Sequence, residues 1–120
     1  MNYVPAIDTD TAEPSSAIKL HGPEGFAGMR KAGAVAARVL DMLVPHVKPG
    51  VTTGELDRLT YDFVLAAGAV PATVFYRGYS HSLCTSINHV VCHGIPGAKK
   101  LVSGDIVNID VTVVVDGWHG

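Results

Sequence analysis

Only two cysteines, Cys84 and Cys92, occur among 120 residues, too few for the disulfide framework that staples small secreted domains. Charge is also sparse: 17% of residues are charged, and nine Lys and Arg against eleven Asp and Glu leave a net charge of −2. That balance provides no basic footprint for nucleic acid or an anionic membrane. No apolar run approaches the roughly eighteen residues that a membrane-spanning helix needs. The first residues carry acids in place of a basic stretch and have no apolar segment behind them, so no secretory signal is visible. Apolar residues nevertheless make up 48% of the chain, well away from the composition of a disordered polypeptide. These features predict a globular, cytoplasmic domain with neither a nucleic-acid nor a membrane partner.

Residues 1–22 mix Pro5, Asp8, Asp10, Pro14, Ser15 and Ser16 with few bulky apolar side chains, which predicts a flexible N-terminal arm. From Pro23 the pattern changes. Phe26, Met29, Gly33, Ala36, Leu40, Leu43 and Val47 recur at helical spacing and predict a buried stripe, with Pro23 and Glu24 suited to the first turn and Pro45 ending the regular helix. Thr52, Thr53, Gly54 and Glu55 spell a capping box, in which hydroxyl and carboxylate each satisfy a free backbone N–H. A second helix is expected behind it, with Leu56, Leu59, Phe63 and Ala67 buried and Gly68 at its left-handed C-terminal position.

Beyond Pro71, residues 73–76, 83–87, 90–92 and 106–115 are rich in β-branched and aromatic side chains and read as strands. In the last run Val107, Ile109, Val111, Val113 and Val115 share one face, which must pack on the helices. The opposite face carries Asn108, Asp110 and Thr112, and a carboxylate in mid-strand needs solvent, a charged partner or a metal. Asp116-Gly117 is a strong two-residue hairpin signal. Little sequence remains for a return strand, so the long strand is expected to keep an unpaired edge open to self-association.

Reactive side chains concentrate between Tyr76 and His93. His81 with Cys84, and His89 with Cys92, have the donor types of a structural zinc site, although an i,i+3 pair on a strand points to opposite faces. Cysteine as a small buried apolar residue is the competing reading, and a cysteine nucleophile beside His89 or His93 is a third. His93 precedes Gly94-Ile95-Pro96 at the end of a predicted strand, where loops hold site residues on a rigid scaffold. His21, His46 and His81 are given no role.

The segments Tyr76-Arg77-Gly78-Tyr79, Cys84-Thr85-Ser86-Ile87-Asn88, Val91-Cys92-His93-Gly94-Ile95-Pro96, Gly104 to Thr112 and Asp116-Gly117-Trp118-His119-Gly120 closely resemble type I methionine aminopeptidases of the bacterial kind. The likeness reaches upstream through Met29 to Gly33 and Lys48 to Asp57. It implies an α/β (α+β) chain, the truncated first half of a pita-bread aminopeptidase fold, with two helices packed on an antiparallel-rich sheet. Residues 23–120 would be the N-terminal half of a methionine aminopeptidase-like catalytic domain. The activity implied is metal-dependent removal of the initiator methionine from nascent polypeptide N-termini, close to the ribosome.

By the family motif, Asp110 is a metal ligand, His93 is the catalytic histidine that contacts substrate, and Tyr76, Tyr79 and Cys84 line the methionine pocket. Asn88 and Val90 match positions that hold a monovalent cation through oxygen atoms. Thr73 departs from the cysteine found there in many bacterial members. The family's cofactor is a pair of divalent metal ions, and cobalt, manganese, iron and zinc are not distinguished. The aspartate expected after His119-Gly120 and the ligands of the second half are absent from this sequence. The chain by itself is therefore expected to bind divalent metal weakly and to lack activity. A non-catalytic pita-bread-like module that binds protein or peptide through Tyr76, Tyr79 and His93 is the alternative reading.

Overall fold

A computed structural model describes residues 19–120. Most of the arm expected over 1–22 lies outside the described residues, and 19–22 are exposed and precede the first helix. Helix α1 spans Pro23–Leu43, with Pro23 and Glu24 in its first turn. It tightens into a 3-10 turn at Val44–His46, where Pro45 can neither donate a helical hydrogen bond nor clear the preceding turn. Helix α2 spans Thr53–Ala66 and closes with paired bonds, Gly68 N to Leu65 O and Ala69 N to Val64 O. Gly68 takes the positive φ this ending requires.

The capping box forms by half. Thr52 Oγ1 accepts from Glu55 N at 3.1 Å, but the Glu55 carboxylate turns outward to Arg58, with contacts of 2.7 and 3.0 Å. The remaining first-turn donors are taken by a neighbouring loop: Thr53 N bonds Lys99 O and Gly54 N bonds Gly97 O. Arg58 lies one turn on, so its fork outcompetes the reach back to Thr52.

The strands are β1 (Val70–Pro71), β2 (Leu83–Ile87), β3 (Val107–Val111), β4 (Val113–Val115) and β5 (Trp118–His119). They form two antiparallel sheets, β1-β4-β5 and β2-β3. The single strand expected over 106–115 thus changes sheet at Thr112, whose carbonyl accepts from Ala72 N. Asp116 and Gly117 both take positive φ, as the tight hairpin demands. The return strand, though short, pairs β4 on one side while β1 pairs it on the other, so the fully open edge expected there is confined to β3. Residues 73–76 and 90–92 are not strands. The first enters a 3-10 turn at Tyr76–Gly78, closed by a bond from Phe75 N to Tyr79 O, and the second is irregular.

The core joins Ala32, Val35, Val39 and Leu43 of α1 to Leu56 and Val64 of α2, Leu83 of β2 and Val113 and Val115 of β4. On α1 the buried face lies roughly a quarter turn from the stripe expected in the sequence. Phe26, Met29 and Leu40 are half-exposed, while Gly25, Ala32, Val35 and Val39 face inward. The reason is close approach: the Trp118 ring lies directly on Gly28 and near Gly25, and Gly120 abuts the Ala32 backbone. A face pressed this tightly to its neighbours admits only small residues, and the bulky ones turn outward.

Candidate functional site

Register builds the site. In the β2-β3 pair Leu83 lies opposite Val111, Cys84 opposite Asp110, Thr85 opposite Ile109, Ser86 opposite Asn108 and Ile87 opposite Val107. Strand alternation then sends Leu83 and Val107, Ile109 and Val111 toward the core and leaves Cys84, Asp110 and Asn108 on the other face. Directly opposed residues on one face have side chains in reach of each other. Asp110 is exposed and Cys84 buried beside it.

Tyr79 closes one side of this pair. Its hydroxyl donates to Leu83 O at 2.9 Å and accepts from Cys84 Sγ at 3.5 Å. Burial, followed by the Cys84 contact, pushes the Tyr79 phenol well above the ordinary phenol range, so it stays a neutral donor. Tyr76 sits on the exposed 3-10 turn, with the Arg77 guanidinium 5.3 Å from its ring centre. The backbone of this turn is strained, since Phe75 and Arg77 both have positive φ, a conformation that persists only where surrounding contacts enforce it.

His93 is exposed and also in the left-handed region, at φ 54. The next residue locks that posture. Gly94 N donates to Ser86 Oγ at 3.0 Å, and Gly94 O accepts from Thr85 N at 2.8 Å. A Cβ on Gly94 would overlap the Thr85 carbonyl oxygen. His93 is therefore held beside the edge of β2 that faces away from β3, where Gly94 bonds the strand that carries Cys84.

Asn88 and Val90 stand at the turn after β2. The Asn88 side chain is engaged at both ends, donating to Asp105 Oδ1 at 2.9 Å and accepting from Ile106 N at 3.0 Å. Both residues line a cavity of about 260 Å³ together with Thr85, Ile87 and Lys99, whereas Tyr79, Cys84 and Asp110 do not line it.

The zinc arrangement is not formed. His81 turns away to Asp57, Cys92 is exposed while Cys84 is buried, and among the described residues no three His, Cys, Asp or Glu side chains cluster to hold a metal. The two divalent ions of the implied cofactor therefore do not fit these residues alone, because Asp110 is a single carboxylate where such an ion needs several fixed ligands.

One cluster was missed in the sequence. Asp57, on α2, accepts from His81 Nδ1 at 2.7 Å and from Ser82 N at 2.7 Å, and Ser82 Oγ lies within bonding reach of both Asp57 Oδ1 and Asp57 O. No spacing motif marks three residues held together from a helix and a distant loop. Only the sparsity of acids near the reactive segment offered a hint.

One antiparallel strand pair thus carries a carboxylate and a thiol on the face turned from the core, with a histidine in a strained backbone conformation on the loop beside it. Residues 27–120 match the sequence profile of metallopeptidase family M24, and the chain belongs to that family. The methionine aminopeptidase of Escherichia coli K12 is 58% identical over 106 residues, which span 87% of this chain and 40% of that protein. The solved methionine aminopeptidase of Rickettsia prowazekii superposes with a TM-score of 0.85 at 55% identity, covering 87% of this chain and 42% of that one. The Thermotoga maritima methionine aminopeptidase gives a TM-score of 0.82 at 32% identity, with 87% of this chain and 42% of that one covered. The fold is thus that of the corresponding part of these enzymes, and the chain spans 29% to 40% of the length of the curated relatives it matches. Among the described residues no helix is long and apolar enough to cross a membrane.

Proposed function

We propose that this chain carries the substrate-side half of an enzyme that removes N-terminal methionine from nascent polypeptides, with residues 23–120 as the N-terminal half of the catalytic domain. The observation that carries the reading is the Cys84-Asp110 cross-strand pair with Tyr79 bonded to Cys84. A soft sulfur and an aromatic wall suit a thioether side chain, and a carboxylate at the same spot suits a hard cation at the reacting end. Tyr76, Tyr79 and Cys84 then line the methionine pocket, and His93 contacts the substrate amide as the catalytic histidine.

Asp110 supplies one ligand to a divalent metal centre whose other ligands come from a further segment. When bound, such metals supply an activated water and polarise the scissile carbonyl. The occupant is one of cobalt, manganese, iron and zinc. The main-chain oxygens of Asn88 and Val90 serve a monovalent cation at the turn after β2. Acting on nascent N-termini places the protein in the cytoplasm near ribosomes, and the open edge of β3 is the place for a complementary half or a second copy to pair.

The alternative, a non-catalytic peptide-binding module, draws on the exposed Phe75, Tyr76, Val91 and Ile95 around the same segment. The deciding experiment measures methionine release from a Met-Ala-Ser peptide with manganese or cobalt supplied. The chain alone is expected to release none. Mixed with a polypeptide that supplies the rest of a relative's length, it is expected to release methionine, and H93A or D110N to abolish that. Release that survives both substitutions overturns the assignment, and peptide binding without any release favours the module.

A further inference from the structure

We infer that His81 is a positioning residue for Tyr79, holding the pocket tyrosine through an anchor on α2; the part of this that concerns methionine rests on the function proposed above. His81 was given no role by the sequence, and its neighbourhood is more organised than a loop histidine requires. The Asp57 carboxylate can only accept hydrogen bonds, so the 2.7 Å contact from its Oδ2 to His81 Nδ1 fixes the proton on that nitrogen and with it the ring orientation. Asp57 is itself held, since its other oxygen accepts from the Ser82 main chain at 2.7 Å. Its side chain and that of His81 are both largely withdrawn from solvent.

The ring so oriented presents itself edge-on to Tyr79, with centroids 5.4 Å apart and planes at 63°, within the favourable geometry for an aromatic pair. From the same segment, His81 O accepts from Thr73 Oγ1 at 2.6 Å, so the residue is clamped at both its side chain and its main chain. Tyr79 in turn holds Cys84 Sγ and Leu83 O. A continuous line of contacts therefore runs from the α2 carboxylate through His81 and Tyr79 to the thiol beside Asp110. It passes next to a turn whose Phe75 and Arg77 stand at positive φ, and such a turn keeps its shape only if neighbours hold it. His81 touches the residues on either side of it, Thr73 and Tyr79. Its effect on the pocket is to fix the wall a thioether would touch, without touching it.

The test uses the intact chain labelled with 3-fluorotyrosine and followed by fluorine NMR, the Tyr79 line being assigned by its disappearance in Y79F. In H81A the Tyr79 line is expected to shift and broaden while the Tyr61 line stays where it is. H81N, whose amide can still donate to Asp57, serves if H81A does not fold: it is expected to keep the Ser82 amide resonance in place and still move the Tyr79 line, because the ring is gone. A Tyr79 line unchanged in both variants overturns the inference. L-methionine is then titrated in. It is expected to move the wild-type Tyr79 line, and its Kd to rise roughly two- to tenfold in H81A, the range an aromatic edge contact is worth. A moved Tyr79 line with an unchanged Kd overturns the link to the pocket. A Tyr79 line that H81A moves but methionine leaves alone in the wild type upholds the positioning role and overturns the methionine pocket.

Discussion

At the scale of single residues, Gly94 shows how little freedom surrounds the site. Its φ is not unusual; what it lacks is room, because a methyl group there would enter the Thr85 carbonyl of β2. G94A must push the 93–96 segment off the strand edge or bend β2. It is expected to lower stability by on the order of 1–3 kcal/mol, measured by chemical denaturation, and to release His93 from its left-handed posture. Some residue-level features were legible beforehand. Asp110 asked for a partner because strand alternation put a carboxylate on a face of its own, and that face proved open. The pairing of Asp57 with His81 was not legible, because nothing in a sequence reports which loop a helix carboxylate will meet.

At the scale of elements, Asp105 ties the start of β3 to the turn that follows β2. It accepts from Val102 N at 2.9 Å and from the Asn88 amide at 2.9 Å, and those bonds, Val102 first, hold its carboxyl below the ordinary value of 3.8. A depressed carboxyl contributes stability that is fully present above the unfolded pKa and is lost as pH falls through the folded one. Wild type is therefore expected to lose more melting temperature than D105N between about pH 6 and about pH 3, and equal losses would remove Asp105 from that role. The helix and hairpin signals were readable because proline, glycine and capping residues act locally. The faces of α1 were not, because bulk suggested Phe26, Met29 and Leu40 while close packing chose glycine, alanine and valine. Residues 73–76 misled in a similar way: their β-branched and aromatic side chains build a tight turn beside the site, where tertiary contacts outweigh strand propensity.

At the scale of the whole chain, the stripe of Phe26, Met29 and Leu40 on α1 and the second edge of β3 are among the surfaces that stand without partners in the described residues. Apolar stripes and open edges both favour association. The purified chain is expected to self-associate with rising concentration in sedimentation velocity runs. L40E, at a position 44% exposed, should reduce that while changing stability by no more than about 0.5 kcal/mol. Undiminished association in L40E would shift attention to the β3 edge. The seat of α1 also has a consequence for synthesis. Its small-residue face is covered by Trp118 and Gly120, from the opposite extreme of the described chain. A growing polypeptide can coil the first helix early and lay part of that face against α2, yet the stretch around Gly28 has no cover until the hairpin at Asp116-Gly117 has been made. Full docking must therefore wait for a late, long-range closure. The lone tryptophan sits at that closure, so its emission would time the step at which the two extremes meet.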